Sequence, residues 1–177
     1  MNKKKDTLRK QFFSFFENYR QNSEIFRQNV LQIQSNFDQF LRDKNNSSGI
    51  PIKIMAYKPF KVEFPVLDVL QQQNLAIYYP LISGVDLLPV DTHGSYLDIQ
   101  NIDLIITPAL YVDENGFRLG RGRGYYDRLL EKFSSEKTVF IGFEWQVLSE
   151  IPRELHDMSV GFIITETGIR NCLSGEK

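Results

Sequence analysis

A short run of alternating glycines and arginines is the part of the sequence best suited to chemistry. Gly120, Gly122 and Gly124 alternate with Arg121 and Arg123. Because glycine has no Cβ atom, the backbone of such a loop can curl until successive N–H groups point at one anion. Arginine adds a fixed positive charge and a forked set of donors that suits phosphate oxygens. These residue types at this spacing indicate a binding site for a polyanion.

The residues on either side of this run support the same interpretation. A strand-like apolar segment comes before it, and helical spacing of apolar residues resumes at Tyr125. The N-terminus of a helix offers an anion unsatisfied N–H groups and the positive end of the helix dipole. Arg118 adds a further cation. Asp127 lies near the start of the predicted helix, where its carboxylate could reach a metal ion held by the same phosphates.

The spacing of the glycines differs from the common phosphate-binding motifs. It is neither the dinucleotide pattern G-x-G-x-x-G nor the P-loop pattern G-x-x-x-x-G-K-[ST]. A flexible glycine turn with solvated arginines is the alternative interpretation. The residues alone therefore indicate a polyanion site and leave the identity of the anion open.

The composition is that of an ordinary folded domain and excludes several classes of protein. A length of 177 residues predicts a single domain over 1–177. The chain has 21 lysines and arginines and 22 acidic residues, so it lacks the excess of positive charge that attracts nucleic acid as a whole. Any anion site must therefore be local. No apolar run approaches the roughly 18 residues that a membrane helix needs. A single cysteine, Cys172, excludes an internal disulfide and favours a reducing cytoplasm.

The pattern of apolar residues changes along the chain and predicts two kinds of structure. Residues 3–40 carry apolar residues at helical spacing, which predicts one or two amphipathic helices, and 43–49 reads as a polar turn. Short apolar runs then predict strands at 50–56, 75–80, 102–108, 138–143 and 160–165, with helices at 64–72 and 125–133. This alternation predicts an α/β sheet with crossover helices on its faces, and 102–108 is the clearest candidate for a central parallel strand.

The glycine-rich segment resembles the signature of the 5-formyltetrahydrofolate cyclo-ligases, a family also called 5,10-methenyltetrahydrofolate synthetases. The family loop R-L-G-x-G-x-G-Y-Y-D corresponds to residues 118–127 of this chain. The family's K-x-x-L-R opening corresponds to Lys5 through Arg9. Further matches run in order through the segments 105–110, 113–116, 141–143, 151–152, 156–157 and 163–166. The resemblance therefore extends over nearly the whole chain, and the glycine-rich loop is its most specific part.

This resemblance implies a fold and an activity. The fold is a three-layer, Rossmann-like α/β sandwich with a mainly parallel central sheet and an N-terminal helical segment. The activity is an ATP- and Mg²⁺-dependent conversion of 5-formyltetrahydrofolate to 5,10-methenyltetrahydrofolate, with release of ADP and phosphate. Such chemistry needs charge neutralisation around the γ-phosphate and in-line positioning more than covalent help from the protein. The implied partners are ATP and reduced folate, with no nucleic acid and no membrane, and we expect a monomer.

The resemblance also assigns roles to individual residues. The implied ATP-binding residues are Lys5, Arg9, Arg118, Leu119, Gly120, Arg121, Gly122, Arg123, Gly124, Tyr125 and Tyr126. The implied substrate-binding residues are Glu63, Arg121 and Tyr125, and the implied catalytic residues are Arg121, Arg123 and Tyr125. The implied ligands of Mg²⁺, a hard cation that prefers carboxylates, waters and phosphate oxygens, are Asp127 and Asp157. From the residues alone, Lys5 and Arg9 could be an ordinary basic helix start, and Asp127 could be a helix-terminal acid favoured by the dipole. Glu63 could be an exposed acid at a helix start and Asp157 a solvated loop acid.

Three departures from the family pattern keep other functions open. The first helix has the apolar segment 13–16 where the family carries a further arginine, Gly161 stands in place of an acid, and 84–98 lacks the family's Gly-Ile-x-Glu-Pro segment. One alternative is therefore a weakly active or inactive paralogue that binds nucleotide or folate. A second is an RNA-binding module that uses the arginines of the loop, with Tyr125 and Tyr126 as stacking platforms.

Overall fold

Two long helices open the described part of the chain. The computed structural model describes residues 3–44, 50–60, 63–71 and 74–173. Helix α1 spans Lys3–Gln21 and helix α2 spans Ser23–Lys44, and each buries one stripe of apolar side chains. The prediction of one or two amphipathic helices over 3–40 is thus confirmed as two. The second helix runs on to Lys44, and the rest of the predicted turn, 45–49, lies outside the described residues.

Among the described residues after the second helix, the chain forms ten strands, two short α-helices and three 3₁₀ turns. The strands are β1 Ile52–Met55, β2 Leu75–Ser83, β3 Asp86–Val90, β4 Leu104–Ile106, β5 Tyr111–Asp113, β6 Arg118–Leu119, β7 Thr138–Ile141, β8 Val147–Leu148, β9 Phe162–Thr165 and β10 Gly168–Asn171. The helices are α3 Val66–Val69 and α4 Tyr125–Glu131. Every strand predicted from the sequence is present, whereas both predicted helices are shorter than expected.

In the described part of the chain, seven strands form one sheet in the order β10-β9-β7-β4-β1-β2-β3. The five inner strands pair in parallel, and the hairpin partners β3 and β10 run antiparallel at the two edges. The predicted central parallel strand at 102–108 is confirmed as β4, which lies in the middle of the order. A mainly parallel sheet of this kind gathers the carboxyl ends of its strands along one edge, where α/β proteins bind ligands.

Both faces of this sheet are buried, which explains the near-continuous apolar runs of its inner strands. Along each strand, alternate side chains enter different parts of the core. Ile54, Ile106 and Ile141 pack with the apolar stripes of α1 and α2. Met55 and Ile105, from the opposite face of the same strands, pack with α4. The helices therefore lie on both sides of the sheet, in a three-layer arrangement that matches the expected fold class.

Several elements were missed by the sequence analysis because they are short or lie at an edge. A second sheet has the order β6-β5-β8, and each of its strands is only two or three residues long. Strands β3 and β10 complete hairpins at the edges of the main sheet. The connection from β7 to β9, which is fully described, contains a 3₁₀ turn at Glu144–Gln146 and β8 but no α-helix. The helices therefore alternate with strands less regularly than predicted.

The helices of the described residues differ in length or hydropathy from helices that span a membrane. None of them has the long apolar stretch needed to cross a bilayer.

Candidate active site

A cleft of about 1460 Å³ opens beside the carboxyl ends of β1 and β4. Its walls come from the first turns of α1, the segments that follow β1 and β4, the β2–β3 hairpin, the glycine-rich loop and the segment 154–157. Every site residue predicted from the sequence lines this one cleft. The position agrees with the general rule that open α/β sheets bind ligands outside the carboxyl ends of their strands.

The glycine-rich loop connects β6 to α4 and packs against α1. Gly122 has a φ of +89°, a backbone conformation that side-chain-bearing residues rarely adopt. A Cβ atom at this position would lie 3.1 Å from a terminal nitrogen of Arg9. The Arg9 Nε in turn donates a hydrogen bond to the carbonyl oxygen of Gly120, at 3.1 Å. The first helix therefore closes over the loop, and the positive φ of Gly122 is a conformation that glycine adopts readily.

The expected contribution of the helix after the loop is smaller than the sequence suggested. Helix α4 has seven residues, compared with nine in the predicted range 125–133. So short a helix carries fewer aligned peptide dipoles than a long one. Arginine and lysine side chains around the loop also line this part of the cleft.

Both predicted metal-binding carboxylates are held by cations. Arg118 donates to Oδ1 of Asp127 at 2.8 Å, and Lys5 Nζ lies 2.6 Å from Oδ2 of Asp157. The Arg118 side chain is only 3% exposed, so its pair with Asp127 is strongly shielded from solvent. Burial lowers the pKa of Arg118, and the negative charges of Asp127 and, more weakly, Asp157 oppose that shift. Arg118 is therefore paired directly with Asp127 and also interacts electrostatically with Asp157.

The carboxylates fit a hard cation. Each ion pair uses one carboxylate oxygen, Oδ1 in Asp127 and Oδ2 in Asp157, so the second oxygen of each side chain lies outside these pairs. Carboxylate oxygens are the protein ligands that Mg²⁺ prefers. Glu154, His156 and Asp157 also place one ligand atom each within 4.8 Å of one another. The sequence analysis had overlooked Glu154, whose backbone N–H donates to Asp157 at 2.8 Å.

Two buried donors at the cleft have no partner within the described part of the chain. They are the Nε of Arg118 and the hydroxyl of Tyr126. Burial raises the pKa of Tyr126 above its usual value, the positive charge of Arg118 opposes this, and Glu63 adds to it. The phenol therefore remains protonated at neutral pH and can donate. Both groups line the cleft, so an acceptor oxygen of a bound ligand could satisfy them.

Two of the three residues predicted to bind substrate, Glu63 and Arg121, are in direct contact. Arg121 Nε lies 3.2 Å from Oε1 of Glu63, although the residues are far apart in sequence. The backbone N–H of Phe60 donates to the other oxygen of Glu63 at 2.8 Å, and the Arg121 guanidinium lies 4.7 Å from the centre of the Phe60 ring. Glu63 is thus fixed from two sides, with its carboxylate presented to the cleft.

Residues after β1 and on the β2–β3 hairpin complete the opposite wall. Lys58 Nζ lies 4.7 Å above the ring of Tyr79, and both line the cleft. Arg128 stacks on Tyr125 at 5.1 Å and donates to the carbonyl oxygen of Val85 at 3.1 Å, which ties α4 to the hairpin. The sequence analysis assigned no role to Lys58, Tyr79 or Arg128. The position of Lys58 just after a predicted strand could have indicated a role in binding, because strand ends form the ligand-binding edge of such a sheet.

Two of the departures from the family pattern have local physical causes. A Cβ atom at Gly161 would lie 2.2 Å from the carbonyl oxygen of Ser135, so an acidic side chain does not fit there without movement of the backbone. In the first helix, Phe12 and Phe16 are buried in an aromatic cluster with Trp145. Within the segment 13–16, packing therefore accounts for Phe16, whereas Phe13, Ser14 and Phe15 are exposed. The third departure, 84–98, includes β3, which contributes Leu87 and Val90 to the cleft wall.

Comparisons of sequence show similarity to one family. Residues 88–166 match the model of the 5-formyltetrahydrofolate cyclo-ligase family. The 5-formyltetrahydrofolate cyclo-ligase of Mycolicibacterium smegmatis is 39% identical over 79 residues, which cover 44% of this chain and 38% of the relative. The Escherichia coli K12 enzyme of the same name is 30% identical over 119 residues, covering 62% of this chain and 65% of the relative. The matched segments thus span less than two thirds of these curated relatives.

Comparisons of structure extend the similarity of fold over almost the whole chain. The 5,10-methenyltetrahydrofolate synthetase of Mycoplasma pneumoniae superposes with a TM-score of 0.73 and 21% identity, covering 92% of this chain and 98% of that one. The synthetase of Aquifex aeolicus gives a TM-score of 0.78 and 23% identity, covering 98% and 95%. These likenesses confirm the predicted α/β fold. Over residues 88–166, the chain is therefore similar to the 5-formyltetrahydrofolate cyclo-ligase family, the same family that the glycine-rich loop resembles.

Proposed function

We propose that this protein catalyses the ATP- and Mg²⁺-dependent cyclisation of 5-formyltetrahydrofolate to 5,10-methenyltetrahydrofolate, with release of ADP and phosphate. Two predicted half-sites, one for ATP and one for folate, lie in the same cleft, and this observation supports the proposal most directly. The arginine-rich glycine loop with Lys5 and Arg9 forms one part, and Glu63 with Arg121 forms the other. Arg121 belongs to both parts, so the ligands of the two half-sites would be neighbours.

In this proposal the loop and the cations around it bind the triphosphate. The backbone N–H groups of 120–124, together with Lys5, Arg9 and Arg118, would surround the phosphate oxygens and stabilise the charge that is redistributed during transfer. Arg121 and Arg123 are exposed at the cleft and would reach the transferred phosphoryl group. Asp127 and Asp157 would hold Mg²⁺, which neutralises phosphate charge when it is bound.

The remaining residues would position the folate. The Glu63 carboxylate suits the donor-rich edge of a pterin, and the hydrogen bond from Phe60 N–H fixes its orientation. Tyr125, held by Arg128, would border both ligands. Transfer of the γ-phosphoryl group to the formyl oxygen makes that oxygen a leaving group. N10 of the folate then attacks the formyl carbon, loses its proton and displaces phosphate.

The RNA-binding alternative receives no support from the geometry of the aromatic residues. A stacking platform needs an open ring face. The face of Tyr125 is approached by the Arg128 guanidinium, and the Tyr126 hydroxyl is buried. Three of the cations that line the cleft, Lys5, Arg118 and Arg121, are each paired with an acid, which reduces the charge available to a nucleic acid backbone.

One assay tests the proposal directly. Purified protein is mixed with 5-formyltetrahydrofolate, ATP and Mg²⁺, and the absorbance of the methenyl product is followed together with ADP release. Formation of both products in equal amounts is the expected result. Binding of ATP or folate without turnover would instead indicate the inactive paralogue. Salt-dependent RNA binding that is lost on Arg121→Ala would indicate the RNA-binding module. A single domain over 1–177 and a monomeric state stay predictions, which sedimentation and limited proteolysis would test.

A further inference from the structure

A buried carboxylate lies behind the cleft, between the two segments that carry its charged residues. Asp113 is the last residue of β5, and its side chain is 0% exposed. Its Oδ1 accepts hydrogen bonds from the backbone N–H groups of Asn115 and Phe117, both at 3.0 Å. These bonds fix the turn that leads directly into Arg118, and through it the start of the glycine-rich loop.

The other oxygen of the same carboxylate holds the second segment. Oδ2 of Asp113 accepts from the backbone N–H of Ile151 at 3.4 Å and from the Arg153 guanidinium at 3.1 Å. Arg153 also lies 4.0 Å from the centre of the Phe117 ring, in the geometry of a cation–π contact. Arg153 thus contacts the turn before Arg118 both through Asp113 and directly through Phe117.

A short hydrogen-bonded turn connects Arg153 to Asp157. The backbone N–H of Asp157 donates to the carbonyl oxygen of Glu154 at 3.1 Å, and the N–H of Glu154 donates to Oδ2 of Asp157 at 2.8 Å. Lys5 of α1 approaches the same oxygen at 2.6 Å. The location of the Asp157 carboxylate therefore depends on where Arg153 anchors this turn.

We propose that Arg153 is a positioning residue that sets the geometry of the metal-binding carboxylates. Arg153 precedes the turn that carries Asp157, and its contacts with Asp113 and Phe117 fix this turn against the segment that leads into Arg118. The Arg118 guanidinium in turn holds Asp127. The inference rests on the proposed function in one respect, the assignment of Asp157 as a ligand of Mg²⁺. Groups that orient metal ligands commonly change metal affinity about 10- to 100-fold when they are replaced.

The test compares three variants with the wild-type protein. Arg153→Met keeps a long apolar side chain over Phe117 but removes the charge, and Arg153→Lys keeps the charge. Arg170→Met is the matched control, because Arg170 forms an ion pair with Glu144 in which neither residue lines the cleft. The Mg²⁺ dependence of the rate is measured at fixed ATP and folate, and Mn²⁺ binding to the protein–ATP complex is measured by electron paramagnetic resonance.

For Arg153→Met we expect the Mg²⁺ concentration at half-maximal rate, and the Kd for Mn²⁺, to rise at least about tenfold. The rate at saturating Mg²⁺ should stay within about twofold of wild type, because no group that touches substrate has changed. Arg153→Lys should restore most of the affinity, and Arg170→Met should leave it unaltered. If Arg153→Met does not fold, because the Asp113 charge is left unpaired, Asp113→Asn combined with Arg153→Met removes both charges and should show the same shift.

The outcomes separate the two proposals. A wild-type protein that binds Mn²⁺ with ATP but forms no methenyl product would refute the proposed function, and the Mn²⁺ titration would still test Arg153. Unchanged metal affinity in both Arg153→Met and the double variant would overturn the positioning role. An equal loss of affinity in Arg170→Met would also overturn it, because the effect would then be one of general stability. Absence of metal binding by the wild-type ATP complex would overturn both proposals.

Discussion

Replacing Tyr126 with phenylalanine should separate the stability of the protein from its affinity for ligand. The Tyr126 hydroxyl is buried at the cleft and has no hydrogen-bond partner within the described residues. Leaving a buried polar group unsatisfied costs about 1–3 kcal/mol, so removal of the hydroxyl should not lower the free energy of unfolding and could raise it by about 1 kcal/mol. The ring would keep its packing beside Arg118.

The same substitution should weaken binding if the hydroxyl donates to a ligand. A hydrogen bond to a charged acceptor such as a phosphate oxygen contributes about 1.5–3 kcal/mol. At 1.4 kcal/mol per factor of ten, its loss corresponds to a roughly 10- to 150-fold rise in Kd. Because burial raises the pKa of Tyr126, the phenol stays protonated through neutral pH. The difference in affinity between the two proteins should therefore not vary across that range.

Urea denaturation and calorimetric titration with a non-hydrolysable ATP analogue, and separately with folate, measure the two effects. The matched control is Tyr57→Phe, because the buried Tyr57 hydroxyl already donates to the carbonyl oxygen of Phe64 at 3.3 Å. That variant should lose about 1 kcal/mol of stability. A loss of stability in Tyr126→Phe with unchanged affinity for both ligands would refute the reasoning. A loss of folate affinity alone would identify a folate oxygen as the acceptor.

Three further predictions concern the carboxylates. Glu63→Gln should raise the KM for folate in steady-state assays while the Kd for ATP analogue stays normal, and a loss of nucleotide binding would contradict this division of roles. Asp127→Asn should lower turnover by about 100-fold, which is the effect of removing one group that stabilises charge during phosphoryl transfer. A higher Mg²⁺ concentration should restore part of the activity. Full activity in this variant would remove Asp127 from the site. Hydrogen bonds, chiefly from Arg170, lower the pKa of Glu144 from 4.5 to about 2. The pair therefore adds to the free energy of unfolding above pH 4.5, and this contribution is lost as the pH falls toward 2. Acid denaturation curves should show a smaller loss in Arg170→Met than in wild type, because only the hydrogen bonds from Thr165 and Thr167 then still lower the pKa of Glu144.

The parts of the fold that were predicted are those with a long local pattern. Helices α1 and α2 hold an apolar stripe over many turns, and the inner strands appear as apolar runs because both of their faces are buried. Strands β5, β6 and β8 have two or three residues each, too few to show a period of two. Their pairing is set by contacts between distant segments, such as Val112 opposite Val147, which no local window contains.

The same distinction applies to the candidate active site. The glycine-rich loop is local, and its spacing and residue types were sufficient to predict an anion site. The partners of its charges are not local: Lys5 meets Asp157 across most of the chain, and Arg121 meets Glu63. Asp113 appeared in the sequence only as part of a turn before the loop. Its second role, as the buried anchor of Arg153, depends on the approach of a segment about 40 residues away.

These ion pairs also bear on which ligand the cleft can accept. Lys5, Arg118 and Arg121 are each held by a carboxylate, so a bound phosphate must compete with Asp157, Asp127 or Glu63 for its cation. A bare anion would therefore leave these carboxylates without their partners, and such partly buried charges are costly when unpaired. A ligand that brings its own cation avoids this cost, because the cation can pair with the carboxylates while the phosphate oxygens pair with Lys5 and Arg118. The paired charges therefore support the proposed binding of ATP together with its Mg²⁺. They also agree with the net charge of only −1 on the chain.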